Sequence, residues 1–411
     1  MVEHSLIEQL AQHLLRPVNM ATRARARLHL LDWMGCVAGA RRSEVAVALG
    51  GVQGGALVTS AFLGNVLEMD DVHRAALLHP GPVIWPAALS SLSDSMDDML
   101  AAAVRGYEAM IAVGASFDTH HYAQYHPTAT AGVIAAAACE ASSASSDPLI
   151  IANAMALAAS VSGGLWQTRH STNMAKQWHV ANAVETGRSA AGFALSGITG
   201  PLDILEGVQG LYAATCRNPT PMAFNEGWRI DEVSFKPWGA CRHAHPAIDA
   251  ALALRARGTL AGPIDVETYA DALTFCDRPD PTTPHQAKFS LQHAVAVVAA
   301  RGVPTLADFE PDAIAALADA RAQVRVREGA AITARYPAHF GATVRACGDD
   351  ETLVDTLGDP ERPLSGDGVI DKARALFAWG QLCPEQADLG VTLALEGDDP
   401  SAIVRWLDDI L

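Results

Sequence analysis

Acids and histidines are concentrated in one stretch of the chain, from Leu67 to Ser90. Three acids, Glu68, Asp70 and Asp71, precede His79, which is followed by Pro-Gly-Pro and then by apolar residues at helical spacing. Proline favours the first turn of a helix, so a helix is predicted to begin there, and helix N-termini are suited to binding anions. A surface loop with scattered charges fits the same composition, so this stretch alone does not establish a site.

Three histidines are each followed directly by proline, namely His79, His126 and His245. Because proline favours the first helical turn, each of them is predicted to lie at or near a helix N-cap. Thr128 and Thr130 follow His126 and could supply hydroxyl groups at the start of that helix. The alternative interpretation is that a polar residue merely precedes proline where a helix starts.

Cationic side chains are concentrated between Lys236 and His245, a segment that also contains Cys241, Arg242 and His243. A cationic loop in a strongly acidic protein favours the binding of carboxylates through charge-assisted hydrogen bonds. This segment is therefore a candidate for binding an acidic substrate.

Lys176 is a further cationic candidate, because it lies three residues before His179 where another helix is predicted. Its ammonium group could bind a carboxylate or, when desolvated, act as a base. A solvated surface lysine is the alternative interpretation.

The histidines and acids do not form a metal-binding motif. His120, His121 and His126 have no carboxylate at the spacing of a dedicated site, and the sequence has no HExxH, GxSxG, phosphate-binding loop or dinucleotide-binding GxGxxG motif. The seven cysteines are scattered without a CxxC pair, which favours reduced thiols over disulfides or an iron–sulfur cluster. Asp70 and Asp71 could bind magnesium, but an acid/base site without a metal is at least as economical. We therefore predict no metal and no cofactor.

The composition restricts the class of function. The 411 residues are 50% hydrophobic and 18% charged, and the net charge is −17. These values predict a well-buried globular protein and argue against general binding to nucleic acid or to anionic membranes. The N-terminus lacks the pattern of a signal peptide, and the most apolar run, from Leu149 to Leu165, is interrupted by polar residues and glycines. A cytoplasmic location is predicted.

The hydrophobic patterns predict a mainly α fold. Helical spacing dominates up to about residue 215, where the last helix is predicted over 202–213, and it returns from residue 370. Alternation typical of strands occurs at 229–235, 264–275 and 323–327, and residues 343–357 have the pattern of a hairpin with its turn at Gly348–Asp350. We predict a large all-helical domain, residues 1–229 plus 356–411, with an inserted smaller α+β domain, residues 230–355.

Six separated segments carry a family resemblance. They are LEMDDVHRAALLHPGPVIWPAAL, YHPTATAGVIAAAA, MAKQWHVANAVETGRSAAGFALSGITGPLDILEG, FKPWGACRHAHPAIDA, AKFSLQHAVA and GDPERPLS. Together they resemble the MmgE/PrpD family, whose members include dehydratases, decarboxylases and epimerases. The resemblance covers most of the chain, and residues 175–207 and 236–249 are its most specific parts.

The resemblance implies a metal-independent enzyme, usually a homodimer, with a large helical domain and a smaller α+β lid domain. It also implies a pocket between the domains that binds a small di- or tricarboxylate such as 2-methylcitrate or cis-aconitate. The family's polar pocket positions are occupied here by Glu68 or Asp70, His79, His126, Lys176, Lys236 and His245, with Cys241 next to them. Two positions depart from the family: Val72 stands where decarboxylase-like members have threonine, and His293 replaces a tyrosine in a motif of the FSxxY type.

The first hypothesis is a lyase that dehydrates or decarboxylates the polycarboxylate by proton transfer next to a carboxylate. The expected catalytic residues are Asp70, His79, His126 and Lys176, and the expected substrate-binding residues are Glu68, Lys236, Cys241, Arg242, His245 and His293. His79 and His126 would exchange protons, while the cations would hold carboxylates and developing charge. The alternatives are an epimerase or racemase of an amino-dicarboxylate, and a carboxylate-binding protein without catalytic activity.

Overall fold

The computed structural model describes residues 4–50, 55–91, 93, 95–171 and 173–411, and these form two units. The helical unit consists of Met1–Val66, Asp70–Val233 and Gly366–Leu411. The α+β unit consists of Leu67–Met69 and Ser234–Ser365. The chain therefore joins the α+β unit for three residues at Leu67–Met69, long before it enters that unit again at Ser234.

The helical unit contains helices and no strand within its described residues. Its helices are α1 (Leu6–Leu14), α2 (Met20–Ala40), α3 (Glu44–Leu49), α4 (Gly55–Leu63), α5 (Gly81–Ser90), α6 (Met96–Ser116), α7 (Thr119–Gln124), α8 (Pro127–Ala144), α9 (Pro148–Ala159), α10 (Ala175–Leu195) and α11 (Leu211–Thr215), and near the C-terminus α19 (Gly366–Trp379), α20 (Pro384–Leu395) and α21 (Pro400–Ile410). Two short 3₁₀ helices, Trp166–His170 and Arg229–Glu232, complete it. None of the described helices is long and apolar enough to cross a membrane.

Helix α8 lies at the centre of the helical unit, where α5, α6, α9 and α10 pack against it. Its alanines are buried almost without exception, and small side chains let neighbouring helices approach closely. At Gly187 of α10 an added Cβ would lie 2.4 Å from the Cβ of Ala136 and 2.7 Å from the backbone nitrogen of Ala137. The alanine and glycine bias of the sequence therefore serves close packing in the core.

The α+β unit is built on a sheet with the strand order β2-β1-β3-β4. The strands are β1 (Ile264–Thr268), β2 (Val324–Glu328), β3 (Ala342–Ala346) and β4 (Asp349–Leu353), and the helices are α12 (His245–Ala256), α13 (Ala270–Cys276), α14 (Pro284–Lys288), α15 (Leu291–Arg301), α16 (Pro311–Ala316), α17 (Ala318–Arg321) and α18 (Ala330–Thr333). Two 3₁₀ helices, Arg242–Ala244 and Leu306–Phe309, lie between them. Strand β1 pairs in parallel with β2 and antiparallel with β3, and β3 pairs antiparallel with β4.

The core of the α+β unit forms where α12 and α15 pack against each other and against the sheet. Val266 of β1 and Val344 of β3 are fully buried in one apolar cluster with Ile248 and Leu254 of α12. The sheet and these two helices therefore support residues 236–244, directly before α12, where the sequence concentrates cationic side chains.

The prediction of a mainly α fold is confirmed, and so are two of the strand predictions. Residues 324–328 form β2, and β3 and β4 form the predicted hairpin. Its turn is Cys347–Gly348, whose φ angles are 50° and 79°, as a two-residue turn between twisted strands requires. The turn predicted at Gly348–Asp350 was wrong by one residue, since Asp349 already pairs with Ala346.

Three local predictions were wrong. Residues 229–235 form no strand, because Arg229–Glu232 is a 3₁₀ helix and the alternation reflects burial of single side chains in an irregular segment. The strand predicted over 264–275 ends at Thr268, and α13 follows it. The helix predicted over 202–213 is confined to Leu211–Thr215, since residues 202–206 form turns. The sequence also predicted a helix after Pro82. Residues 92 and 94, which belong to that predicted helix, lie outside the described residues.

Candidate functional site

The segment before α5 brings His79 next to Asp70 in the helical unit. A short backbone bridge between His73 and Leu78 closes the segment, and the N–H of His79 donates a hydrogen bond to the hydroxyl of Thr128 at 3.1 Å. Nδ1 of His79 then lies 2.8 Å from a carboxylate oxygen of Asp70, which is 1% exposed. The contact has the distance of an ion pair without the alignment of a hydrogen bond, and Nε2 is the ring nitrogen that it leaves unused.

Asp71, the neighbour of Asp70, is the centre of a buried hydrogen-bond network. One of its oxygens lies 2.8 Å from Nδ1 of His29 and accepts from the Tyr107 hydroxyl at 2.6 Å, while the other accepts from the N–H of Gly81 at 2.8 Å. Burial raises the pKa of Asp71 to about 6, and the bonds from Tyr107 and Gly81 act in the opposite direction. The network ties the acidic segment to the first residue of α5.

His126 is the N-cap residue of α8, but its side chain makes no capping hydrogen bond. The buried ring packs 4.4 Å from the ring of Trp166, and its Nδ1 lies 3.3 Å from Nδ1 of His179. The backbone N–H of His126 is held by the carbonyl of Gly164, which has a φ of +104° that favours glycine. The ring is thus held in place by its surroundings and is not used to cap the helix.

Both histidines of this pair are shifted toward the neutral form. Burial and the nearby charge of Lys176 lower the pKa of His126 well below its ordinary value, and burial lowers the pKa of His179. Lys176 is half-buried in the first turn of α10. Asp70 and His79 are also close enough to act on His126 electrostatically.

The structure therefore brings the predicted catalytic residues of the helical unit together. We call this set the proton-transfer group; its members are Asp70, His79, His126, Lys176 and His179. Its chemistry is that of a carboxylate-supported imidazole, a neutral buried imidazole and one ammonium group.

In the α+β unit, Glu68 and Lys236 form a buried ion pair. Their side-chain atoms Oε2 and Nζ are 3.6 Å apart, and the residues are 4% and 0% exposed. Glu68 has a φ of 57°, a left-handed conformation that costs a non-glycine residue free energy and that clusters at functional sites. The residue predicted to bind substrate is therefore held in place at a conformational cost.

Arg242 and His245 lie one turn apart, and all their polar side-chain atoms except Nε of Arg242 already have partners. The guanidinium of Arg242 forms an ion pair with Asp359, which also accepts a hydrogen bond from the hydroxyl of Ser234 at 2.7 Å. Nδ1 of His245 lies 3.2 Å from Arg242, and its Nε2 lies 3.1 Å from the carbonyl of Ala240. This pattern fits a neutral His245 that accepts from Arg242 and donates to Ala240. A substrate carboxylate at Arg242 would compete with Asp359.

Cys241 is adjacent to Arg242, whereas His293 is hydrogen-bonded to other residues. Cys241 directly precedes Arg242, and its buried thiol is hydrogen-bonded to that of Cys276. His293, in the first turn of α15, has its Nε2 2.8 Å from the carbonyl of Asp308 and its Nδ1 3.4 Å from the guanidinium of Arg321. Among the described residues, His293 makes no hydrogen bond or ion pair with Lys236 or Arg242.

We call Glu68, Lys236, Cys241, Arg242, His245 and Asp359 the cationic group. Asp359 was not singled out from the sequence, although it lies in the GDPERPLS segment. His29, Tyr107 and Cys276 were also missed, because each lies far along the chain from its partner and carries no motif of its own. Asp71 was noted as part of an acidic stretch and as a possible magnesium ligand, but its place at the centre of a buried hydrogen-bond network was missed.

The fold and these motifs define the class of protein, and comparison with known families agrees. Residues 52–223 match the MmgE/PrpD N-terminal domain, and residues 238–392 match the MmgE/PrpD C-terminal domain. The chain belongs to the MmgE/PrpD family.

Among curated proteins, the chain is similar to cis-aconitate decarboxylase of Homo sapiens and of Mus musculus. It is 23% identical to the human protein over 278 residues and 24% identical to the mouse protein over 281 residues. Each match covers 61% of this chain and 56% of the relative. The chain thus spans little more than half the length of these relatives.

Proposed function

We propose that this protein is a lyase that acts by acid/base proton transfer on a small di- or tricarboxylate, without a metal in the reaction. The observation that carries the proposal is the 2.8 Å pair of His79 and Asp70, in a group that also contains the neutral, buried His126. Family membership and the similarity to cis-aconitate decarboxylases support the reaction class.

In a decarboxylation, the bond between a carbon atom and its carboxylate breaks and CO2 leaves. The electron pair left on carbon then takes a proton, which His79 supplies from Nε2 while Asp70 stabilises the imidazolium. In a dehydration, His126 removes the proton next to a carboxylate and His79 protonates the departing hydroxyl group, which leaves as water. Lys176 holds the charge that develops on the remaining carboxylate.

We further propose that the cationic group binds the substrate carboxylates. Lys236 is the strongest candidate, because its ammonium group is fully buried and a desolvated ammonium forms strong charge-assisted hydrogen bonds with carboxylates. Cys241 and His245 would shape this part of the site. Arg242 would bind a carboxylate only in exchange for Asp359. His293 remains a proposed substrate-binding residue through its replacement of the family tyrosine.

An epimerase or racemase of an amino-dicarboxylate is the second candidate. Val72 favours it, since this residue is buried and provides no hydroxyl where decarboxylase-like members have threonine. Two imidazoles, those of His79 and His126, could serve as the proton donor and acceptor for opposite faces of one carbon atom. A catalytically silent carboxylate-binding protein is the remaining alternative.

One experiment distinguishes these functions. The chain is incubated in deuterated water with cis-aconitate, 2-methylcitrate, citrate and iminodisuccinate, and the products are analysed by mass spectrometry. A lyase gives loss of CO2 or water, and an epimerase gives deuterium at the α-carbon without either loss. Thermal stabilisation by a carboxylate with no turnover of any compound would contradict both enzymatic proposals.

We also propose that the protein is a homodimer. The exposed side of α10 and the residues that follow it carry large apolar side chains, namely Trp178, Phe193, Leu195 and Ile198, which are 43–59% exposed. Phe193, Leu195 and Ile198 lie within six residues at or just after the end of α10, and exposed apolar side chains grouped in this way are typical of protein interfaces. The family resemblance identifies a second copy of this chain as the partner.

We also propose a cytoplasmic location for this protein. All seven cysteines lie within the described residues, and all are free thiols. Free thiols are typical of proteins from reducing compartments.

A further inference from the structure

Three side chains with metal-binding atoms meet at one end of the hairpin in the α+β unit. The register pairs Ala342 with Leu353, so His339, three residues before β3, and Asp355, two residues after β4, emerge at the same end. Nδ1 of His339 lies 2.7 Å from a carboxylate oxygen of Asp355. Glu361, from the segment that follows, adds a third donor, and the donor atoms of all three lie within 4.8 Å of one another.

We propose that His339, Asp355 and Glu361 bind one divalent transition-metal ion of the zinc class. One imidazole nitrogen and two carboxylate oxygens suit Zn²⁺, Co²⁺ or Mn²⁺ better than Ca²⁺ or Mg²⁺, which prefer oxygen ligands throughout. With bonds of about 2.1 Å in tetrahedral geometry, two ligand atoms on one ion are about 3.4 Å apart. Donor atoms that lie up to 4.8 Å apart therefore need to close by at most about 1.4 Å, which side-chain rotation can supply, and water completes the coordination.

The surroundings favour a cation at this place. Two carboxylates and one imidazole carry a net negative charge, and the side chains of His339 and Asp355 are 38% and 14% exposed, so an ion can reach them from solvent. The nearest cation along the chain is Arg362, whose guanidinium pairs with the carboxylate of Asp249 and donates to the backbone carbonyl of Asp355. Its charge is thus matched by another acid.

The third donor distinguishes this arrangement from an ordinary ion pair. A surface pair of His339 and Asp355 would need one carboxylate only, and such pairs contribute little to stability. Glu361 brings a second carboxylate from a different segment to the same point, so that one nitrogen and two oxygen donors can bind a single ion.

A metal ion here would also act on the cationic group. Asp355 and Glu361 flank Asp359 in the sequence, and Asp359 is the partner of Arg242 and Ser234. An ion bound to both Asp355 and Glu361 would restrict the positions available to Asp359 and hence to Arg242. The site would be structural and would take no part in the proton transfer proposed above, so its existence does not depend on that proposal.

Titration of the full chain with Zn²⁺ tests the site directly. The protein is treated with chelator, exchanged into metal-free buffer with a reducing agent, and titrated by calorimetry as wild type, His339→Asn, Glu361→Gln and a control, His285→Asn. His285 is exposed in α14 and far along the chain from the site. Removal of a ligand should weaken binding at least as much as the 10- to 100-fold known for changes outside the first coordination shell.

The expected result is one Zn²⁺ per chain with equal affinity in wild type and His285→Asn, and at least about tenfold weaker binding in both His339→Asn and Glu361→Gln. Glu361 is exposed, so Glu361→Gln leaves the fold intact even where His339→Asn perturbs the hairpin. Equal affinity in wild type and Glu361→Gln, or no stoichiometric binding to the wild type, would overturn the proposal.

Discussion

Nδ1 of His79 lies 2.8 Å from the carboxylate of Asp70, and Asp70 is almost completely buried. The pair places a carboxylate at ion-pair distance from one ring nitrogen and leaves Nε2 for the proposed proton exchange. Asp71, the next residue, holds the same segment through three further hydrogen bonds. The two adjacent acids thus lie in different surroundings, one beside the imidazole proposed to exchange protons and one inside the core.

Replacing His79 by Asn should lower kcat by about 10²- to 10⁴-fold, the usual contribution of general acid/base catalysis. KM should change far less, because the proposed role of His79 is to exchange protons and not to hold the substrate. Steady-state kinetics on the substrate found by the deuterium experiment provides the measurement. His285→Asn, outside both groups, should leave kcat unchanged, and a His79→Asn enzyme with wild-type kcat would show that another residue moves the proton.

Replacing Lys236 by Met should destabilise the protein by about 3–5 kcal/mol, because Glu68 is then left as a buried charge without its ammonium partner. The double change with Glu68→Gln should cost less than the sum of the single changes. Urea unfolding of the four proteins measures both effects. Arg374→Met, in an exposed pair with Asp388, is the matched control and should change little. Additive costs would mean that Glu68 and Lys236 are not coupled.

Replacing Tyr107 by Phe should cost about 1–3 kcal/mol at pH 8 and much less at pH 4. The pKa of Asp71 rises from 3.8 to about 6 on folding, so its protonated form stabilises the fold at low pH and that contribution is lost as the pH rises through about 6. The Tyr107 hydroxyl lowers the pKa of Asp71, and its removal therefore enlarges the loss above pH 6. Unfolding free energies measured between pH 4 and 8 check the slope. A cost that is constant with pH would show that Asp71 does not titrate in this range.

The sequence allowed prediction of those features that depend on neighbouring residues. Proline after histidine predicted the position of His126 at the start of α8, and alternation predicted β2 and the hairpin. The partners of buried groups could not be predicted in this way. Tyr107 is 36 residues from Asp71 and Asp359 is 117 residues from Arg242, so packing of whole helices and loops, and not local spacing, brings each pair together.

Chelation should leave the proposed lyase activity intact. Within the described residues, the only group of three side chains placed to hold a metal is that of His339, Asp355 and Glu361, which includes no member of the proton-transfer group. Initial rates are compared before and after EDTA treatment for wild type and for Glu361→Gln. Similar rates in all four samples are expected at a temperature where the chain is folded. Loss of activity on chelation in Glu361→Gln would mean that the reaction itself uses a metal elsewhere.

The exposed apolar side chains of α10 should mediate dimer formation. Light scattering after gel filtration should give twice the chain mass of 43.2 kDa for wild type. Trp178→Asp and Phe193→Asp place a charge where apolar side chains would be buried against the second copy, so each should shift the mass toward one chain. Val303→Asp, at an equally exposed valine of the α+β unit, is the control and should remain dimeric. A wild-type chain that elutes with the mass of a monomer at all concentrations would contradict the proposal, and dimers that persist in both α10 variants would place the interface elsewhere.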